Sequence, residues 1–195
     1  MMLKIRIAKR KYFKSKDLWA MHQLRARVFK GRMGWEVPVL SGMEIDGYDA
    51  IDPTYMLVKE RSGAVRGCWR ILPTEGPYML KDSFPQLLNG QPAPEDERIW
   101  ELSRFAIEAD VNNSFGFANL TIECIKEMMA YGQKHAIQQY VTVTTTAVER
   151  LLKKAGCVVT RLAPPLVIGV ETAVALYMDV DKTYAALSAP LDLAA

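Results

Sequence analysis

Apolar and basic residues alternate over Leu3–Ala8, which predicts a strand with one buried face. The period then changes. Leu18, Met21, Leu24 and Val28 fall on one face of a helix beginning at Lys16–Asp17. Gly31–Leu40 carries glycines, a proline and Trp35 and reads as a loop. Tyr55–Glu60 and Val65–Leu72 predict a hairpin turning at Arg61–Ser62–Gly63. Pro73–Arg98, rich in proline and charge, predicts a loop with short helical turns. Helical spacing returns over Phe117–His135 through Leu120, Cys124 and Met128. Tyr140–Thr144 is a β-branched strand, and Ala147–Ala155 a helix stopped by Gly156. Val167–Val170 and Ala173–Val180 read as late strands, and the weakly patterned tail Ala185–Ala195 is expected to fray. This order predicts an α/β fold, a mixed sheet with helices on its faces, in one domain over residues 1–195.

One strand breaks the pattern. Ile99–Ile107 has Ile99, Phe105 and Ile107 for a core, yet Glu101, Ser103 and Arg104 sit inside it. Side-chain alternation puts Glu101 and Ser103 on one face. An acid and a hydroxyl on an apolar strand need partners or a wet cleft; the plain alternative is the outer face of an edge strand. Glu44–Pro53 adds four carboxylates in a turn-rich segment, Leu24–Phe29 places Arg25 and Arg27 in the first helix, and Arg70 is the lone cation of Gly67–Leu72. Each alone reads as a solvated surface charge. Arg25, Asp46, Asp49, Arg70, Glu101 and Arg104, all embedded in apolar sequence, together predict a semi-buried ion network lining a cleft.

Composition narrows the chemistry. A net charge of +3 is too small to argue for nucleic acid, though it leaves room for a local basic patch. The longest apolar runs are broken by proline, glycine or charge, so no transmembrane helix is expected. Met1–Tyr12 lacks a signal-peptide core. Cys68, Cys124 and Cys157 lie far apart in apolar contexts, as reduced thiols of a cytoplasmic protein would. With two histidines and no CxxC, neither a zinc site nor a Ser–His or Cys–His relay is expected. The absence of Gly-x-Gly-x-x-Gly argues against a Rossmann methyltransferase.

Arg25, Phe29, Trp35, Asp46, Asp49, Arg70, Glu101, Ser103 and Arg104 reproduce the signature of the LuxI-type acyl-homoserine-lactone synthases. The resemblance covers nearly the whole chain, with its strongest stretches at Met43–Asp49, Gly67–Leu72, Gly76–Leu80 and Ile99–Ile107, and is nearest to members making long-chain 3-oxoacyl signals. It implies an α-β-α sandwich like that of the GNAT acyltransferases, with a cleft between diverging strands. It also implies two substrates and no separate cofactor. The amine of S-adenosylmethionine attacks an acyl thioester on acyl carrier protein. The methionine carboxylate then closes on its own side chain, releasing methylthioadenosine.

The resemblance also distributes roles. Glu101 is the candidate proton acceptor, directly or through water, because an ammonium is no nucleophile; Ser103, Arg104, Arg70, Asp46 and Asp49 complete the catalytic set. Arg25, Phe29, Trp35, Arg104 and Phe105 are candidates to hold S-adenosylmethionine, an aromatic face being favourable to a sulfonium. Met79, Leu102, Ile122, Ile125, Thr142, Thr144, Val148 and Cys157 are candidate walls for the acyl chain, although on periodicity alone they read as core. A hydroxyl from Thr142 or Thr144 would reward a 3-oxo group, while Thr145 is placed to cap a helix. Arg150, Lys153 and Lys154 on the last helix, with Arg161 just beyond, form a candidate docking patch for an acidic carrier protein. Two other readings remain: a GNAT-like N-acyltransferase using acyl-CoA, disfavoured because Leu102–Asn113 offers no glycine-rich loop, and a non-catalytic ligand sensor, disfavoured by the intact charge set.

Overall fold

The structure is a computed structural model that describes residues 3–108 and 114–189. β1 (Leu3–Lys9) leads into α1 (Ser15–Ala26), whose last turn widens into a π-helical turn, Arg27–Arg32. A small β2–β3 hairpin (Val39–Leu40, Met43–Glu44) and a 3-10 turn (Gly47–Asp49) follow. β4 (Thr54–Glu60) and β5 (Val65–Pro73) form the expected hairpin. Short turns follow, α2 (Met79–Asp82) and a 3-10 turn (Pro85–Leu88), before β6 (Ile99–Ile107). The second half comprises α3 (Ser114–Lys134), β7 (Gln139–Thr145), α4 (Thr146–Lys154), β8 (Val159–Arg161), β9 (Leu166–Ile168), β10 (Glu171–Asp179) and α5 (Val180–Ser188). β8 and α5 have no counterpart in the sequence reading. Residues 190–195 of the tail and 109–113 of the stretch without a glycine-rich loop lie outside the described residues.

The main sheet runs β1-β4-β5-β6-β7-β10-β8, with β9 also on β10. Its neighbours are antiparallel except β6 and β7, which are parallel. β6 is therefore central, and the edge-strand reading of its polar residues does not hold. One face packs α3 and α5 in a core built on Met56, Trp69, Ile71, Leu102, Ile125, Met128, Tyr140 and Val180. Gly132 lets α3 approach closely, since a Cβ there would meet Val180 Cγ1 at 3.0 Å and the Tyr140 hydroxyl at 3.1 Å. The other face carries two clusters. One places α1 and the π-helical turn on Tyr55, Leu57, Cys68 and Ala106; the other places Tyr78, Leu80, Leu87 and Leu88 on Leu72, Val141, Ala173 and Ala175.

Two irregularities in the sheet matter. β6 and β7 pair only over Ile99–Glu101 and Gln139–Val141. Beyond that point the ladder stops, although both strands continue, so a gap opens between them. Along β5–β6, Ser103 pairs with Arg70 and Ala106 with Cys68, so Arg104 and Phe105 together oppose Trp69. This is a β-bulge, and Arg104 takes the left-handed conformation, φ +57°. A non-glycine residue there costs on the order of 1–3 kcal/mol and needs surrounding contacts to hold it.

Candidate active site

Three arginines meet three carboxylates on the α1 face of the sheet. Arg25, wholly buried, donates from Nε to Glu44, from Nη1 to Asp49 Oδ1 (2.8 Å) and from Nη2 to Asp49 Oδ2 (3.0 Å). Arg70, also buried, donates from Nη1 to Asp46 and to Asp49 Oδ1 (3.0 Å), and from Nε to Ser103 Oγ (3.1 Å). Arg104 donates from Nε to Glu44 Oε1 (3.0 Å). Its Nη2 lies 2.9 Å from Asp46 Oδ2, without hydrogen-bond alignment, so that oxygen keeps acceptor capacity. Opposite charges balance, which is the condition for burying ions at bearable cost. The Gly47–Asp49 turn sets two of the acids by reciprocal caps: Tyr48 N–H donates to Asp46 Oδ1 and Asp46 N–H to Asp49 Oδ2.

Electrostatics follow from this packing. Burial by itself would raise the Asp49 pKa, but Arg25, Arg70 and the Tyr55 hydroxyl outweigh it and hold the carboxyl well below its usual range. Burial likewise opposes the charge on Arg25, and Asp49 and Glu44 more than restore it. Arg25, expected to hold S-adenosylmethionine, has its guanidinium engaged by carboxylates and shielded from solvent, where it orients the acids. Glu44, two residues before Asp46, belongs to the same network although nothing in its sequence context sets it apart from the other acids of Glu44–Pro53. Its backbone carbonyl also meets His22 Nδ1 at 2.9 Å. Only the fold shows that it is wholly buried and bridges Arg25 and Arg104.

The bulge decides which side chains share this face. Strict alternation would send Arg104 to the α3 side with Leu102. The left-handed turn instead leaves consecutive residues, Ser103 and Arg104, facing the acids. Phe105 then falls on the opposite face, tilted against Trp69 with ring centres 4.5 Å apart. Phe105, expected beside S-adenosylmethionine, therefore lies on the face away from the acids. Phe29 and Trp35 do stay together, their rings stacked at 5.5 Å and 7°, with the Arg104 guanidinium 5.7 Å over Phe29. The π-helical turn contributes here, since Trp35 N–H closes on Phe29 O at 2.9 Å.

Glu101 occupies the last paired position before β6 and β7 part, opposite Val141. It is wholly buried, and its two oxygens accept the N–H groups of Leu80 (2.8 Å) and Met79 (3.1 Å) at the start of α2. Burial raises its pKa; the two amides, Arg70 and Ser103 pull against that without reversing it. The result is a carboxylate more basic than an ordinary glutamate, anchored at the apex of the gap.

The candidate acyl-wall residues divide between the two layers. Met79 lies on the Glu101 side, its sulfur 3.0 Å from Arg70 Nη2 and 3.2 Å from Arg104 Nη1. Leu102, Ile125 and Cys157 are buried in the α3 layer. Thr142 and Thr144 alternate in phase with Tyr140 and so point toward that layer too, half-buried. Ile122 and Val148 are half-buried. Between these residues, β6 and β7 are no longer paired beyond Glu101 and Val141. Thr145 caps α4, accepting from Val148 N–H at 3.3 Å. A surface depression lined by Lys9, Ile51, Asp52, Leu72 and Gly76 includes none of these residues.

The basic patch is smaller than expected and does not lie on the last helix, since α5 follows it. Arg161 forks onto Glu149, with Nη2–Oε2 at 2.7 Å, and Lys153 Nζ lies 2.8 Å from the same carboxylate. Glu149 is nearly sealed off, and these bonds, Arg161's foremost, lower its pKa to about 2. Arg150 and Lys154 remain as exposed cations. Among the described residues no cluster suited to a metal ion occurs, and no helix is long and apolar enough to cross a membrane.

A mixed sheet between helical layers, parted between β6 and β7 with the buried carboxylate of Glu101 at the parting, frames the candidate site. The autoinducer synthase family model matches residues 9–186. The acyl-homoserine-lactone synthase of Pseudomonas aeruginosa is 50% identical over 186 residues, covering 94% of this chain and 92% of that protein. The crystal structure of the AHL synthase LasI superposes with a TM-score of 0.89 at 49% identity, covering 96% of this chain and 95% of that one. BjaI, a CoA-dependent acyl-homoserine lactone synthase solved with SAM and isopentyl-CoA, superposes with a TM-score of 0.85 at 26% identity over 95% and 88% of the two chains. The chain belongs to the autoinducer synthase family and is an acyltransferase of the acyl-homoserine-lactone synthase class.

Proposed function

We propose that this enzyme makes a long-chain 3-oxoacyl-homoserine lactone from S-adenosylmethionine and an acyl carrier protein thioester. The observation that carries the reading is Glu101, buried and raised in pKa at the point where β6 and β7 separate. The adenosyl ligand lies on the charged face, with Phe29 and Trp35 against its sulfonium and the free oxygen of Asp46 available to its ammonium. Glu101 accepts the proton that frees the amine, directly or through water. The amine adds to the thioester carbonyl, the amide forms and the carrier thiol leaves. The methionine carboxylate then displaces the thioether sulfur from its own side chain, closing the lactone and releasing methylthioadenosine. Ser103, Arg70, Arg104, Asp46 and Asp49 hold this geometry.

The acyl chain passes from Met79 through the gap to the α3 layer, between Leu102, Ile122, Ile125, Val148 and Cys157, where Thr142 or Thr144 donates to a 3-oxo group. Arg150 and Lys154 supply attraction to an acidic carrier; Lys153 and Arg161 add less, being paired to Glu149. A cytoplasmic location suits these substrates. The test is a competition among acyl carrier and acyl-CoA donors of several lengths, with and without a 3-oxo group, read by mass spectrometry. A long-chain 3-oxoacyl lactone from the carrier donor, with stoichiometric methylthioadenosine, is expected. Exclusive use of acyl-CoA would establish the alternative donor, and absence of lactone from every donor would overturn the reading.

A further inference from the structure

Trp35 reaches across the site. Its ring stacks on Phe29, which sits under Arg104 of β6. Its indole Nε1–H points the other way and donates to Glu171 Oε1 at 3.3 Å. Glu171 opens β10, two residues before Ala173, the residue paired with Thr145 at the end of β7. Arg104 lies on β6 three residues past Glu101, its last pairing with β7, and Thr145 ends β7. The indole thus links the part of β6 that has left β7, through Phe29 and Arg104, to the start of β10 beside the end of β7, through Glu171.

The loop carrying Trp35 is otherwise held by packing of Trp35 and Val37 on the α1-side core and by Arg32, which donates to Ile107 O at 3.2 Å. Gly34 is left-handed, φ +69°, and the neighbouring residues Met33, Gly34 and Glu36 are exposed. The backbone bonds of Trp35 are local, to Phe29 O and from Val37 N–H. The link to Glu171 is the long-range polar contact of Trp35, across 136 positions. Glu171 itself is half-buried and lies outside the ion network.

We propose that Glu171 is a positioning residue: it holds Trp35 over the mouth of the gap so that the indole covers bound S-adenosylmethionine. This rests on the reading that the adenosyl ligand lies beneath Trp35. An anchor made by one charge-assisted bond, partly open to solvent, orders the loop before the ligand arrives. Its loss transfers the ordering cost to binding.

Calorimetric titration of S-adenosylmethionine alone into the whole protein tests this without an acyl donor. E171A should weaken binding by about fivefold, and E171Q, which retains an acceptor oxygen, should stay within about twofold. E171M keeps the stem without the acceptor and reads the same quantity should E171A not fold. W35F, which lacks the indole N–H, should also weaken binding, and adding E171A to W35F should change nothing further. Weakened binding by W35F with unchanged binding by E171A, or additive losses in the double variant, would overturn the role of Glu171 alone. Unchanged binding by W35F would instead remove the ligand from beneath Trp35, and the role of Glu171 with it.

Discussion

Replacing Glu101 by glutamine separates its chemical role from its structural one. The carboxylate accepts two backbone N–H bonds, from Leu80 at 2.8 Å and Met79 at 3.1 Å, in full burial. Glutamine keeps one acceptor oxygen and turns an NH2 toward the second amide. Losing that bond costs about 1–3 kcal/mol, but a buried charge is removed at the same time, so the net loss is about 1–2 kcal/mol. For a chain of this size that lowers Tm by roughly 2–8 °C, within the margin of a typical domain. If Glu101 accepts the amine proton, turnover should drop by about 10²–10⁴, equivalent to roughly 3–5 kcal/mol in the barrier. Methylthioadenosine release, followed by chromatography beside a thermal melt, reads both quantities. The pH profile adds a second readout. Burial raises the pKa of Glu101, and a base must be deprotonated to act. Wild-type kcat/KM should therefore fall with decreasing pH along a limb centred above the ordinary glutamate value, and the residual activity of E101Q should lack that limb. Turnover within threefold of wild type by folded E101Q would refute the reasoning and leave Glu101 as a cap for α2.

Asp49→Asn removes one member of the buried network and leaves Arg25 and Arg70 short of a counter-charge, which should cost about 3–5 kcal/mol in urea unfolding. Because the Asp49 pKa lies below its unfolded value, its stabilisation is present above the ordinary aspartate pKa and is lost as pH falls through the folded value; D49N should lack that acid-dependent part. Thr142→Val or Thr144→Val should lower the ratio of 3-oxo to unsubstituted product by roughly five- to tenfold in a competition of the two donors, while total synthesis falls far less than in E101Q. No change in that ratio for either variant would place the 3-oxo contact elsewhere. Arg150→Glu with Lys154→Glu should raise KM for the carrier thioester at low salt and leave KM for S-adenosylmethionine nearly unchanged; an unaffected carrier KM would move the docking surface.

Local patterning was enough to locate most of the elements. The β4–β5 hairpin, β6, β7 and the helix ending at Gly156, φ +95°, follow from periodicities and turn residues that act over a few positions. The charged residues of the candidate site were legible for a related reason: Arg25, Asp46, Asp49, Arg70, Glu101 and Arg104 interrupt apolar runs, and a charge there must find a partner. What periodicity could not contain was the bulge at Arg104. One residue out of phase turns Arg104 toward the acids and Phe105 toward Trp69, and nothing in the residue types marks it. Burial of Glu44, the claim of Glu149 on Lys153 and Arg161, and the reach of Trp35 to Glu171 belong to the same class. Apart from the Glu149–Lys153 pair, which is i,i+4 on one helix, these depend on segments that the fold brings together across separations no local pattern records. The parting of β6 from β7 beyond Glu101 is likewise a tertiary outcome, since pairing between strands separated by a whole helix is set by the packing of the sheet and its layers rather than by either strand alone.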